Sequence, residues 1–145
     1  MQHIRNSIIP MFEGFCRKNE IDGKDIVATI SGIKVTLNVA ANIDTQAKGL
    51  MGSDEPENNN GMIFVYDSDD TLEFWMKNVE YPLDILFFNS KLELVDNLTM
   101  SPYSGEADED LKIYKSKSPA RYAVELRSGW AESNLKGDTD VTLKF

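Results

Sequence analysis

The pattern of apolar and polar residues predicts an α+β fold. It is a compact, β-rich domain whose curved, mainly antiparallel sheet closes part of the way into a barrel and carries two or three short helices. Three observations predict it. Several short β-branched or aromatic runs are separated by turn residues, as strands are. Only a few short segments show helical spacing. A chain of 145 residues, 41% hydrophobic and 27% charged, suits one soluble domain that buries enough surface to need no disulfide or metal staple.

The elements follow in order. Residues 8–19 place Ile8, Met11, Phe12, Phe15 and Cys16 at helical spacing with Pro10 in the first turn, which predicts a short amphipathic helix. Residues 1–23 are thus an N-terminal helical extension, and 24–145 form the domain. Residues 25–30 and 33–39 are β-branched runs joined by Ser31-Gly32, the pattern of a tight hairpin. Asp44 or Thr45 caps a short helix carrying Ala47, Leu50 and Met51. Residues 53–60 form a polar loop containing Pro56 and three asparagines. Strands are predicted at 61–66, 72–78, 83–89 and 92–98, with Asn89-Ser90-Lys91 as a turn. Residues 102–117 read as a long loop, the candidate mobile lid or exposed arm. A strand at 120–126, a short helix at 128–135 and a closing strand at 140–145 complete the chain.

Composition bounds the function. A net charge of -9 opposes sequence-independent nucleic-acid binding, which works by neutralising phosphates. The single cysteine, Cys16, rules out an intramolecular disulfide. The single histidine, His3, lies near the terminus, a poor place to hold a catalytic base. His and Cys are too few for a zinc cluster. The acidic runs Asp67–Glu73 and Glu106–Asp110 put Leu72 and Leu111 where a calcium loop needs glycine. No phosphate-cradling glycine loop is present, so neither a metal nor a cofactor is expected. The apolar start is broken by Pro10, Glu13, Arg17 and Lys18, unlike a signal peptide, and no apolar run is long enough to cross a membrane. These points predict a cytoplasmic or otherwise soluble protein with neither membrane nor nucleic acid as partner.

The most informative stretch is Phe74-Trp75-Met76-Lys77-Asn78, followed by Pro82-Leu83-Asp84-Ile85-Leu86-Phe87-Phe88. Each is an apolar run with ionic or polar residues inside it, and a charge held among apolar walls must be paired, hydrogen-bonded or functional. With Arg121 and Glu125 on one face of the 120–126 strand, the candidate binding residues are Trp75, Lys77, Asn78, Asp84, Arg121 and Glu125. They are expected to meet as a mixed-charge cluster beside the indole, either a hydrogen-bonded network that fixes strand register or a small pocket in which Lys77 and Arg121 hold an anionic group against Trp75. Asp84, Lys77 and Glu125 are the residues with catalytic potential. Met51, Met62 and Met76 read as core filling.

Five ordered blocks resemble one family. Gln46–Met51, Gly61–Tyr66, Phe74–Asn78, Pro82–Phe87 and Pro119–Leu126, with Gly129 and Gly137-Asp138, are similar to the domain of unknown function 192 family (uncharacterised protein family 0127). The likeness runs from about Lys34 to Phe145 and implies a compact β-rich α+β fold. It implies no activity, because none is established for that family. Gln46-Ala47 stands here where the family usually has an acidic-basic pair.

The function expected is a non-enzymatic binding or protein-interaction module with a small polar and charged site beside Trp75. Its partner would dock through the N-terminal helix (Ile8, Phe12, Phe15) or the 102–117 loop. One alternative is a small hydrolase or lyase using Asp84 with Lys77 or Arg121. The other is a structural subunit of a larger assembly such as a virion.

Overall fold

A computed structural model describes residues 15–145, with side chains from Lys18 onward. Most of the predicted N-terminal helix, including Ile8, Phe12 and the Phe15 side chain, lies outside the described residues.

A short helix α1 (Phe15–Ile21) leads into the hairpin of β1 (Asp25–Ile30) and β2 (Ile33–Ala40). Ser31 and Gly32 have φ of 49° and 79°. Positive values at both turn positions match the twist of the flanking strands. The next helix, α2 (Ile43–Lys48), is capped by Asn42 rather than by Asp44 or Thr45. Thr45 instead accepts the Asn42 N–H (3.2 Å). The Asp22 carboxylate accepts the Ala41 N–H (2.7 Å) and the Thr45 hydroxyl (2.7 Å), tying the helix entry to the end of α1.

The remaining strands are β3 (Asn60–Asp70), β4 (Glu73–Phe74), β5 (Leu83–Phe88), β6 (Leu94–Met100), β7 (Tyr114–Lys115), β8 (Ala120–Arg127) and β9 (Leu143–Lys144). Helix α3 spans Trp130–Leu135. The main sheet has the order β6-β5-β8-β3-β2-β1-β9. Its pairs are antiparallel except β2 with β3, the two strands joined through α2. The sheet curls into a half-barrel. Its ends are tied by the C-terminal segment: β9 pairs with β1, and Thr142 bridges Glu93 at the start of β6.

The central strands β5 and β8 are buried on both faces. On the concave side lie Ile30, Leu37, Val39, Ile63, Val65, Leu86, Phe88, Tyr122, Val124 and Leu126. On the convex side a second core gathers Ala40, Met62, Phe64, Leu83, Ile85, Phe87, Met100 and Ala123 under the 72–81 and 100–114 segments. This second core explains why the strand runs are apolar in succession instead of alternating.

Two expectations change here. The strand expected at 72–78 ends at Phe74, because the Val79 N–H bonds back to the Met76 carbonyl (3.1 Å) and Asn78 takes φ 58°, a turn conformation that Asn tolerates. The 102–117 loop is no free arm. Tyr103 N–H donates to the Val79 carbonyl (2.8 Å) and Ser116 N–H to that of Leu72 (3.0 Å). The Lys117 N–H reaches Asp96 (3.0 Å), β7 pairs with β4, and Leu111 and Tyr114 are buried.

Candidate functional site

On the convex side, α2 and the loop after it face the 73–79 segment across an open cleft of 380 Å³. Phe64 and Tyr66 on β3 and Glu125 on β8 line the space between them. The α2 wall is fixed by hydrogen bonds at both of its parts. Gln46 Nε2 donates to the Val65 carbonyl (2.8 Å), pinning α2 to β3. The Tyr81 hydroxyl lies 3.1 Å and 3.2 Å from the Ser53 and Asp54 carbonyls, donating to one at a time and anchoring the loop after α2. Phe74 meets Phe64 edge to face at 5.0 Å, so the aromatic wall is packed from behind.

Glu125 is 5% exposed, and no hydrogen bond or ion pair reaches its carboxyl among the described residues. Among the described residues every fully sealed polar side-chain atom has a partner, so the Glu125 oxygens open on the cleft. Burial pushes this carboxyl up to about 8, because an ion without water or a counter-ion is costly. Burial also raises the Tyr66 phenol, with the Glu125 charge adding to it. The cleft therefore holds a neutral carboxylic acid at pH 7, beside aromatic surface.

The six sequence-predicted residues divide. Trp75, Lys77 and Glu125 line this cleft. Trp75 is 38% exposed. Lys77 Nζ lies 5.6 Å from its ring centroid and 2.9 Å from Asp108 Oδ2. Asn78 is the exposed turn residue behind them. Arg121 is buried, with Nε donating to the Tyr66 carbonyl (2.9 Å). Its guanidinium lies 5.5 Å from the Tyr122 ring, so it braces β3 against β8.

Asp84 does not join them. Ile85 is the residue opposite Glu125, and Asp84 stands opposite Leu126. Since side chains alternate, that one-residue offset puts the two carboxyls on opposite faces of the sheet. Asp84 is buried on the concave side, where Oδ1 accepts the Thr99 hydroxyl (2.9 Å) and Oδ2 the Ala131 N–H (3.0 Å). It holds the first turn of α3. The expected four-ion cluster is thus two separate features: a satisfied acid under α3, and an unsatisfied one in the cleft.

The family model DUF192 (Uncharacterized ACR, COG1430) matches residues 26–143. The chain belongs to this family. Two solved structures have the same fold as this DUF192 domain. A Sinorhizobium meliloti 1021 protein, described as a candidate transcription regulator, is 24% identical, with a TM-score of 0.74 over 86% of this chain and 95% of its own. A Novosphingobium aromaticivorans protein of unknown function is 25% identical, with a TM-score of 0.70 over 83% of this chain and 85% of its own. No curated protein matches the chain significantly. Among the described residues no helix is long and apolar enough to cross a membrane, and no cluster of three metal-ligating side chains occurs.

Gln46, Leu50, Met51, Phe64 and Tyr66 line the cleft, although none is among the residues the sequence predicts for a site. The available signal was their position in the first two DUF192 blocks. Only the parallel β2–β3 crossover through α2 brings those blocks against Trp75.

Proposed function

We propose that this DUF192 domain is a non-enzymatic binding module whose cleft takes a small organic ligand against Trp75. The observation that carries the reading is Glu125: a buried carboxyl, without a partner among the described residues, opening on a cavity with aromatic walls. Binding pockets combine apolar lining with a few placed polar groups, and a fold keeps an unsatisfied buried polar group only at a cost.

The hydrolase or lyase alternative finds less support. Its acid, Asp84, spends both oxygens on Thr99 and Ala131 and faces away from Lys77. The assignment of the S. meliloti protein as a regulator is not carried over, because a net charge of -9 works against phosphate contacts. Docking through the 102–117 segment would engage a pinned surface rather than a free arm.

The experiment is a panel of small organic compounds screened by thermal shift and by the Trp75 indole resonance, with Trp75→Ala as the control. A compound that raises the melting temperature, moves that resonance and loses its effect in W75A supports the reading. Compounds that all map elsewhere, or a panel with no binder, refute it.

A further inference from the structure

The cleft also carries a chemical preference. Its deepest polar group is the Glu125 carboxyl, without a hydrogen bond among the described residues, and its walls include the rings of Phe64, Tyr66, Phe74 and Trp75. A desolvated carboxylate gains most from a cation that is itself easy to desolvate. Aromatic faces attract the same cations through their quadrupoles. Lys77 already shows that the indole tolerates a cation, with Nζ 5.6 Å from the ring centroid.

Most charges on the other walls have partners. Lys77 is paired with Asp108 (2.9 Å), and Glu73 with Lys115 (3.7 Å). Lys48 lines the α2 side. Tyr66 faces Glu125 from β3, and the field of Glu125 also reaches Tyr81, beside Glu55 and Asp54. On its own strand, Arg121 is held by the Tyr66 carbonyl. With a net charge of -9, the surrounding field also draws cations toward the surface.

We propose that the ligand of this cleft is an organic ammonium ion, whose charge meets the Glu125 carboxylate and whose substituents lie against Trp75 and its neighbouring rings. This rests on the reading that the cleft is a binding site. Proton balance gives the proposal a signature. Below about pH 8 Glu125 holds its proton, so a quaternary ammonium ion binds as the carboxyl releases one proton to solvent. The proton returns when the ligand leaves. Affinity therefore rises about tenfold per pH unit up to that point and levels off above it. A neutral or anionic ligand hydrogen-bonded to the protonated acid shows the opposite trend.

The test compares choline with 3,3-dimethylbutan-1-ol, its uncharged isostere, and with butyrate. The readouts are titration calorimetry between pH 6 and 9 and the Trp75 indole resonance. Support is saturable choline binding that strengthens with pH, releases a proton, moves the Trp75 signal but not that of buried Trp130, and weakens at least tenfold in Glu125→Gln. Should E125Q fail to fold, the wild-type pH trend and the isostere comparison decide alone. Equal affinity for the isostere, affinity that is flat or falls with pH, or no saturable choline binding overturns the proposal. If the isostere or butyrate then binds, and does so through Trp75, the binding-module reading stands while the ammonium preference falls.

Discussion

Replacing Glu125 by Gln should make the protein less sensitive to pH. The cause is the distance between the ordinary carboxyl value of 4.5 and the folded value of about 8. Between those limits the unfolded chain has lost the Glu125 proton and the folded chain has kept it. The folded state binds more protons, so this residue's contribution to stability falls as pH rises from 4.5 and stops falling above 8. One proton gives a slope of about 1.4 kcal/mol per pH unit. The penalty thus reaches about 3 kcal/mol at pH 7 and a ceiling of about 5 kcal/mol above pH 8, a large part of a domain's usual stability. Gln keeps the size and cannot ionise. The difference in stability between E125Q and wild type should shift in favour of E125Q by those amounts, measured from its value near pH 4.5. Urea denaturation of both proteins from pH 4.5 to 9 measures it. Two parallel stability curves would refute the claim that this carboxyl is folded as the neutral acid.

Substitutions at four further positions probe the rest of the frame. Asp84→Ala removes the acceptor for Ala131 N–H and the Thr99 hydroxyl and should cost about 2–3 kcal/mol. It should speed amide exchange at Ala131 and spare ligand binding in the cleft, and full retention of stability would show the cap to be idle. Gly61→Ala puts a Cβ 2.0 Å from the Glu125 carbonyl oxygen. The backbone has no room to yield, so a loss of at least about 2 kcal/mol in thermal unfolding is expected, and a wild-type melt would contradict the packing of β3 on β8. Asn78→Gly should be nearly neutral and Asn78→Val should cost about 1–2 kcal/mol, because φ at this turn position is positive; equal effects would mean that the conformation is not required. Lys77→Met breaks a partly exposed pair with Asp108, worth no more than about 1 kcal/mol, and a much larger loss would mark a desolvated role for the ion.

The sequence carried the β1–β2 hairpin and the strands β5 and β8 nearly residue for residue. In each, local propensity and turn chemistry agree: Ser31-Gly32 suits the turn it makes, and the runs 83–88 and 120–126 are continuously buried. It carried the burial of Asp84, Arg121 and Glu125 as well, since an ion inside such a run must go inside with it. It could not carry their mutual placement. Whether residue 84 or 85 faces residue 125 depends on register, and one position of offset reverses the face. Nor does any local pattern announce two cores. The extended pairing of Phe74 with Tyr114 turned an apparent loop into the clamp of a small second sheet. The cleft was hidden for the same reason, since its walls come from segments far apart along the chain.

The way the half-barrel is tied sets an order on folding. Thr29 meets Lys144, so the last contact of the sheet joins nearly the first strand to the last. The entropy of closing so long a loop grows only logarithmically with its length, but the timing is fixed by synthesis. While the ribosome still holds the final strand, the edge of β1 at Thr29 and Ile30, which β9 later pairs, is open to any extended segment nearby. Docking of residues 141–145 therefore also guards the nascent chain against strand exchange with its neighbours.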